Sequence, residues 1–445
     1  MQESAVDVRE RCRLARASLV ELSSVGSATR DDALAAMAER LSEQAPAILE
    51  ANLLDLDAAS AMVERGELSP ALLARLKLDQ EKIDGIIAGI EQVRRLPDPL
   101  GSVSLARELA DGLELYRVAC PIGVIAVIFE SRPDVLPQIA SLAVKSGNAV
   151  LLKGGREAKH TLAALASTLG EALASAGLPP GCLNLLDSRE DVEALLEQDD
   201  LVDLVIPRGS NELVAHIMAS TRIPVIGHAD GVCHIYLHQD ASPEMAVKIV
   251  VDAKTQYPSA CNSVETLLVH AGALESLLPP VIEALAKKKV ELRLDNAALE
   301  TARKLAPSVA VVAASDSDWD SEYCDLILSI KTVDSLETAI KHINEHGSGH
   351  TDSIVSEDQA TFERFFQAVD SAGVYWNAST RFADGFRYGF GAEVGISTAS
   401  MHPRGPVGLE GLVTYKYRLT GRGHTVTDFS GPGAQRYTHR DLLHE

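Results

Sequence analysis

The stretch GVIAVIFESRPDVLPQIASLAVKSGNAVLLKGGRE, residues 123–157, carries the pattern that decides the fold. Two short apolar runs, at 123–129 and 149–152, enclose a segment from Pro133 to Lys145 that is long enough for a crossover helix. Short apolar runs that alternate with helices are typical of buried strands in a parallel sheet. The stretch therefore predicts a strand–helix–strand unit.

The same alternation extends through both halves of the chain. In the first half, further strands are expected at 182–186, 204–206 and 224–226, with helices at 157–176, 191–197 and 211–219. In the second half, strands are expected at 264–269, 290–294, 309–313, 325–330, 354–355 and 374–376. This order predicts an α/β protein with two doubly wound parallel-sheet domains and a ligand-binding cleft between them.

The ends of the chain and one early segment follow other patterns. Residues 5–95 show helical periodicity and carry no chemistry, whereas residues 103–118 alternate like strands and suit an arm at a subunit contact. Closing strands are expected at 412–419 and 425–429. We therefore expect a first domain over 1–254 with an interface arm at 100–118, a second domain over 255–404, and C-terminal oligomerisation strands over 405–445.

The composition argues against several classes of protein. With 63 Asp and Glu against 41 Lys and Arg, the formal net charge is −22, which disfavours a nucleic-acid partner because phosphate binding needs clustered cations. The longest apolar stretch, 118–129, is too short to span a bilayer, and no targeting segment is visible at the N-terminus. The six cysteines are scattered without a C-x-x-C pair, which indicates free thiols in a reducing, cytoplasmic compartment.

The stretch TQYPSACNS, residues 255–263, is the main candidate for chemistry. Pro258 ends the preceding helical pattern and small residues flank Cys261, so the thiol is expected on a tight, uncrowded loop. Asn262, Ser263 and the backbone N–H groups of a turn suit a thiolate or an oxyanion. A catalytic nucleophile and an ordinary packed thiol both fit these residues.

Two loops follow expected strands at the edge where such sheets bind ligands. The first, KGGR at 153–156, combines glycines that let backbone approach a ligand with two cations that suit phosphate or ribose oxygens. The second, PRGSN at 207–211, opens a helix whose free N–H groups favour an anion. Ordinary turns fit both loops as well, and the G-x-G-x-x-G fingerprint of dinucleotide binding is absent.

A strand, a Lys-Gly-Gly loop, an Arg-Gly-Ser loop, the Cys loop and a late Glu follow in that order, so the chain resembles the aldehyde dehydrogenase superfamily over nearly its whole length. Four blocks in order are diagnostic of a narrower branch. They are IFESRPD at 128–134, LKGGRE at 152–157, YPSACN at 257–262 and MHPRGPVGLE at 401–410. The resemblance is closest to the branch that reduces an acyl phosphate. It implies NADPH-dependent reduction of L-glutamyl 5-phosphate to L-glutamate 5-semialdehyde and phosphate, as the second step of proline biosynthesis. It also implies a homo-oligomer that receives its substrate from a separate glutamate 5-kinase.

The resemblance further implies roles for single residues. Cys261 would be the nucleophile that forms a thioester, with Ser131 replacing the second oxyanion donor of the superfamily. Lys153 would contact the adenosine ribose and Glu322 the nicotinamide ribose. Arg156 stands where NAD-preferring relatives carry a glutamate, which favours the 2′-phosphate of NADP. The full set of cofactor-binding residues would be Lys153, Gly155, Arg156, Gly209, Ser210 and Glu322.

The substrate would be bound by Arg132, His228, Asn262 and Arg404. The two arginines suit its carboxylate or phosphate, although structural ion pairs fit them too. The stretch IGHADG at 226–231 lacks the water-activating glutamate of hydrolytic relatives. That absence suits an enzyme that must keep water away from a thioester, and it leaves His228 and Asp230 to orient the substrate. A structural histidine also fits His228.

Three other interpretations stay open. Cys233, His234 and His238 suggest a metal site, but along a strand the two histidines would lie about 13 Å apart, too far for one zinc ion without a bend. We expect no metal.

A different acylating aldehyde dehydrogenase, acting on another acyl phosphate or a CoA thioester, would share Cys261 but lack the block around Arg404. A noncatalytic member of the fold would have no need to keep Cys261 together with the cofactor loops.

Overall fold

The computed structural model of the protein describes residues 2–130, 132–186, 190–227 and 230–443, with the backbone alone described for 2–7 and 71. The α-helices, α1 to α13 in chain order, are Gln2–Leu22, Ser27–Glu64, Pro70–Leu76, Gln80–Arg95, Val135–Lys145, Lys159–Ser175, Glu190–Leu196, Asn211–Ser220, Pro243–Thr255, Leu274–Lys287, Asn296–Leu305, Leu336–His346 and Gln359–Ala368.

The β-strands form two parallel sheets, one antiparallel sheet and one short strand pair. In chain order, β1 to β17 are Val103–Ala110, Leu113–Pro121, Val124–Phe129, Ala149–Lys153, Leu183–Leu186, Leu204–Arg208, Cys233–Leu237, Val264–His270, Glu291–Leu294, Val312–Ala313, Ile327–Val333, Thr351–Val355, Gly373–Trp376, Gly395–Ser397, Gly405–Val407, Val413–Thr420 and Arg440–Asp441.

The first compact unit contains Met1–Ile226, Phe390–Gly395 and Val407–Glu445. Its parallel sheet has the strand order β5-β4-β3-β6. Every residue of β3 and β4 is buried, and nearly all of α5 is buried as well. The strand–helix–strand prediction for residues 123–157 is therefore confirmed. The apolar run at 224–226 meets the sheet only through a single bridge between Val205 and Val225, so it extends the sheet less than expected.

An antiparallel sheet in the same unit has the order β16-β2-β1-β17. The strands expected at 103–118 are confirmed as the β1–β2 hairpin, and the run expected at 412–419 is β16. The strand expected at 425–429 is wrong. Those residues form a 3₁₀ turn, Val426–Phe429, because Thr425 and Asp428 cap each other's backbone, and β17 pairs with β1 in place of that strand.

The second compact unit contains Gly227–Gly389 and Ile396–Pro406. Its parallel sheet has the order β10-β9-β11-β8-β7-β12-β13. The expected boundary at residues 254 and 255 differs from this division, because β7 pairs with both β8 and β12 and therefore belongs to the second sheet. The strand expected at 309–313 is shorter than predicted, with only Val312–Ala313 in the sheet. Among the described residues, no helix combines the length and hydropathy needed to cross a bilayer.

Candidate active site

Cys261 lies in a tight loop between α9 and β8. The Ala260 N–H donates to Tyr257 O at 3.2 Å, and the Ser263 N–H donates to Ala260 O at 2.8 Å, so two successive turns fold the chain around the cysteine. The thiol is partly exposed, whereas Cys12, Cys182 and Cys233 are buried. Burial raises the pKa of Cys182 to about 11, which makes such a thiol unreactive at neutral pH. Among these four cysteines, Cys261 is the accessible one.

A buried histidine faces the thiol. The Nε2 atom of His350 lies 3.3 Å from Cys261 Sγ, and its Nδ1 atom lies 2.9 Å from Thr351 Oγ1. Only 1% of His350 is exposed, so neighbouring atoms fix the ring in place. A cysteine next to an imidazole that is oriented by a third group is the usual arrangement of an activated sulfur nucleophile.

His350 was not expected from the sequence, although its position in the sheet offers a signal. Cys261 precedes β8 and His350 precedes β12, and only β7 separates these two parallel strands. The amino ends of parallel strands meet at one edge of a sheet, which brings the two residues together despite a separation of 89 residues. This inference requires the order of the strands in the sheet, which cannot be predicted from the residues near Cys261 or near His350.

The backbone of Cys261 is held from two sides. A Cβ atom on Gly231 would lie 2.3 Å from Cys261 O, so the loop rests directly on this glycine. The Cys233 thiol donates to the same carbonyl oxygen at 3.4 Å. In the next residue of the loop, the Asn262 side-chain amide donates to Ala383 O at 2.7 Å. The nucleophile is therefore placed by packing and hydrogen bonds and has little freedom to move.

The predicted cofactor loops lie at the carboxyl ends of strands in the first sheet. Lys153 is the last residue of β4, and Gly155 precedes a 3₁₀ turn, Arg156–Ala158, in which Arg156 is exposed. A Cβ atom on Gly154 would lie 2.2 Å from Leu162 Cδ1, so the turn into α6 requires this glycine. The short turn places two cations next to backbone that can approach a ligand closely.

The second loop forms an anion site at the start of α8. The Ser210 side chain caps this helix by accepting the Leu213 N–H, and the Ser210 N–H donates to Glu130 Oε2 at 2.9 Å. A Cβ atom on Gly209 would lie 2.5 Å from the same carboxylate oxygen. The helix N-terminus thus holds an oxyanion in this structure, which is the property that a cofactor pyrophosphate requires. These residues fit a dinucleotide.

The sequence is similar to that of known proteins over its full length. The sequence model of the aldehyde dehydrogenase family matches residues 1–309 and 296–391. The chain belongs to the aldehyde dehydrogenase family. It is 54% identical over 428 residues to gamma-glutamyl phosphate reductase 1 of a Synechocystis species, with 96% of each chain covered. It is 53% identical to gamma-glutamyl phosphate reductase of a Synechococcus species, with 100% of this chain and 97% of that protein covered.

Solved structures show the same relationship. The crystal structure of gamma-glutamyl phosphate reductase from Thermotoga maritima superposes with a TM-score of 0.89 at 38% identity, and the match covers 94% of this chain and 99% of that one. The expected α/β fold with parallel sheets is therefore confirmed as that of an aldehyde dehydrogenase, and the chain is an enzyme of this family.

In this aldehyde dehydrogenase, the two arginines predicted to bind substrate both have carboxylate partners. Arg132 is exposed and lies 3.5 Å from Asp134. Arg404 donates to Asp370 Oδ1 at 2.7 Å and to the carbonyl oxygen of the same residue at 3.1 Å. Arg404 also lines a cavity of about 390 Å³ within the second unit. Arg404 is therefore held by Asp370, within the unit that also contains Cys261.

The remaining predicted residues have varied surroundings. Asn262 is buried, and its amide donor is bonded to a backbone carbonyl, so it supports the loop. Glu322 is half-buried beside Cys324, and burial followed by the Glu322 charge raises the pKa of that thiol to about 12. Ser131 and His228 lie outside the described residues, so their predicted roles stay predictions.

Proposed function

We propose that this enzyme reduces L-glutamyl 5-phosphate to L-glutamate 5-semialdehyde and inorganic phosphate, with NADPH as the reductant, as the second step of proline biosynthesis. The observation that carries the proposal is the Cys261 thiol 3.3 Å from His350 Nε2. The choice of substrate is supported by the full-length similarity to gamma-glutamyl phosphate reductases.

In the first half of the reaction, Cys261 Sγ attacks the acyl carbon of the substrate. The thiol proton passes to His350 Nε2, the new C–S bond forms, and the C–O bond to the phosphate breaks. Inorganic phosphate leaves with the bonding electron pair and takes up one proton from solvent. The acyl group is then held on the enzyme as a thioester, and the imidazole keeps the proton.

In the second half, the thioester becomes an aldehyde. The residues that would hold NADPH are Lys153, Gly155, Arg156, Gly209, Ser210 and Glu322, and the cofactor would supply the hydride. The tetrahedral oxyanion on Cys261 collapses to the aldehyde and expels the thiolate, which recovers its proton from His350. The backbone N–H of Cys261 suits the developing oxyanion.

Two features of the chain support the finer parts of this proposal. The exposed Arg156 guanidinium, at the carboxyl end of β4, favours a cofactor that carries a 2′-phosphate. The segment 224–236 contains no Glu, so the carboxylate that activates water in hydrolytic relatives is missing from the sequence. Both features suit an enzyme that passes its thioester to a hydride and protects it from hydrolysis.

We further propose that the enzyme works as a homo-oligomer in the cytoplasm and receives its acyl phosphate from a separate glutamate 5-kinase. Support for the oligomer comes from β16, an edge strand of the antiparallel sheet. Its side chains Tyr415, Tyr417 and Leu419 are 52%, 58% and 58% exposed. Exposed apolar side chains on an open strand edge favour pairing with another chain.

The proposed reaction is tested most directly in reverse. Purified protein is supplied with L-glutamate 5-semialdehyde, phosphate and NADP, and NADPH formation is followed by absorbance, with parallel reactions that contain NAD or that replace phosphate with CoA. A rate that depends on phosphate and is faster with NADP supports the proposal. A rate that does not depend on phosphate refutes the reaction, and a preference for NAD refutes the role of Arg156. Cys261→Ser should abolish turnover but leave NADP binding, measured by fluorescence, unchanged.

A further inference from the structure

Arg381 is a buried arginine beside the Cys261 loop. It belongs to a 3₁₀ turn, Thr380–Phe382, in the second unit, and only 7% of it is exposed. Its Nε atom donates to Gln256 Oε1 at 2.9 Å, and its guanidinium carbon lies 5.9 Å from the centre of the Tyr257 ring. Gln256 and Tyr257 begin the loop that carries the sulfur. The guanidinium therefore contacts the loop of the nucleophile through one hydrogen bond and one aromatic ring.

Arg381 differs from three other buried cations because the described residues give it no carboxylate partner. Arg30, Lys145 and Lys254 each form an ion pair, with Asp98, Asp31 and Glu265 respectively. Among the described residues, no carboxylate forms an ion pair with Arg381, and Gln256 is the only hydrogen-bond partner of its guanidinium. A buried positive charge without a counter-ion is costly, and an anionic ligand that paired with it would remove that cost.

The charges around Arg381 increase this cost. Arg387 donates from Nη1 to the Arg381 carbonyl oxygen at 2.9 Å, which places a second guanidinium nearby. Burial, followed by the charge of Arg387, lowers the pKa of Arg381, whereas the charges of Cys261, Asp384 and Asp252 act in the opposite direction. One of these acids, Asp384, lies 3.6 Å from Arg387, with which it forms an ion pair. The local field therefore favours an added anion.

We propose that Arg381 binds an oxyanion of the substrate next to Cys261. This inference rests on the proposed function, since an acyl phosphate that also carries an amino-acid carboxylate has two such groups. Because Nε is bonded to Gln256, the two Nη groups remain to form a bidentate pair with carboxylate or phosphate oxygens. Arg132 and Arg404, the arginines expected from the sequence, are already paired with Asp134 and Asp370.

The two possible sources of the oxyanion have different kinetic consequences. A phosphoryl group held by Arg381 would be present only while the acyl phosphate forms or breaks. A carboxylate held by Arg381 would be present throughout the reaction, in the thioester and in the aldehyde. The reverse reaction separates the two sources, because phosphate and L-glutamate 5-semialdehyde are then added as separate substrates.

The kinetic test compares Arg381→Gln and Arg381→Lys with Arg364→Gln, an exposed arginine on α13 in the same unit. Loss of a charge-assisted hydrogen bond should raise one KM by about 10- to 100-fold in Arg381→Gln. A higher KM for phosphate alone assigns Arg381 to the phosphoryl group, and a higher KM for the semialdehyde alone assigns it to the carboxylate. Arg381→Lys should recover part of the loss, because it keeps the charge but not the planar fork. Unchanged KM values for both substrates in folded Arg381→Gln would overturn the proposal.

A second measurement does not depend on turnover. Alkylation of the Cys261 peptide is followed by mass spectrometry with iodoacetate, an anion, and with the neutral iodoacetamide. The ratio of the iodoacetate rate to the iodoacetamide rate should fall several-fold in Arg381→Gln and stay at the wild-type value in Arg364→Gln. An unchanged ratio in Arg381→Gln would contradict an anion site.

The two measurements also distinguish the failure of this inference from the failure of the proposed function. If the wild-type enzyme shows no phosphate-dependent reaction but the alkylation ratio responds to Arg381→Gln, the proposed reaction fails and the anion site stands. If the wild-type enzyme is active and Arg381→Gln changes neither the KM values nor the ratio, the reaction stands and the assignment of Arg381 fails.

Discussion

Replacement of His350 tests the central contact of the active site. In His350→Gln the side chain still fills part of the buried space and still forms hydrogen bonds, but it cannot take up a proton. The imidazole lies 3.3 Å from Cys261 Sγ, within reach for direct proton transfer. General acid–base catalysis by a positioned side chain contributes about 10²- to 10⁴-fold in rate, so we expect kcat of the reverse reaction to fall by this factor. The KM for phosphate should change little, because His350 is assigned to the sulfur.

The same variant should slow the chemical modification of Cys261. The thiolate is the reactive form, and removal of the proton acceptor should lower the rate of iodoacetamide labelling of the Cys261 peptide at pH 7. His346→Gln is the matched control, because His346 is bonded to Asp320 and does not contact the sulfur. Circular dichroism and NADP binding establish that His350→Gln is folded. Turnover and labelling at wild-type rates in a folded His350→Gln protein would refute the role given to the imidazole.

Three further predictions concern the loop, the stability and the assembly. Gly231→Ala should lower activity and reduce the free energy of unfolding in urea by about 1–3 kcal/mol, because its Cβ atom would lie 2.3 Å from Cys261 O; an unchanged urea midpoint would contradict the packing described. Burial, followed by the charges of His234, Lys331 and His346, lowers the pKa of His342 to about 2. Below about pH 6.5 this histidine therefore takes up a proton in the unfolded chain but not in the folded protein, so the free energy of unfolding should fall as the pH drops. His342→Asn should reduce that loss by about 2 kcal/mol at pH 5, measured by urea unfolding, and a pH dependence equal to that of the wild type would contradict it. Tyr417→Lys, on the exposed edge of β16, should lower the oligomer mass in light scattering without loss of helical signal, and an unchanged mass would exclude this edge from the assembly.

The fold was predictable wherever a buried run is bounded by turn residues. β3 begins at Val124 and α5 ends at Lys145, within a residue or two of the positions expected from the apolar pattern. The error at 425–429 has a local cause, because alternating polar and apolar residues resemble a strand while Thr425 and Asp428 close a capped turn. The first domain was predicted to end at residue 254 because the Cys261 loop begins there. The second unit in fact begins before β7, because β7 pairs with β8 and β12 in the second sheet.

The candidate site was predictable where one short segment carries its chemistry. The Cys261 loop and the Ser210 cap can be read from neighbouring residues, since Pro258 ends a helix pattern and Ser210 begins one. The partners of these residues come from remote parts of the chain. His350 reaches the sulfur through the order of three strands, and the burial of Arg381 is a property of the folded protein. Neither property leaves a periodic signal in the sequence.

The direction of α9 has a consequence for the reactivity of the enzyme. Many reactive cysteines sit at the N-terminus of a helix, where the helix dipole stabilises the thiolate. Cys261 instead follows the C-terminal, partially negative end of α9, so this helix provides no such stabilisation. The groups that can favour a charged sulfur, His350 and Arg381, join the loop only when β12 and the turn at Thr380–Phe382 have packed. A newly made chain therefore carries an ordinary cysteine, and its nucleophile becomes reactive only when the second unit is complete.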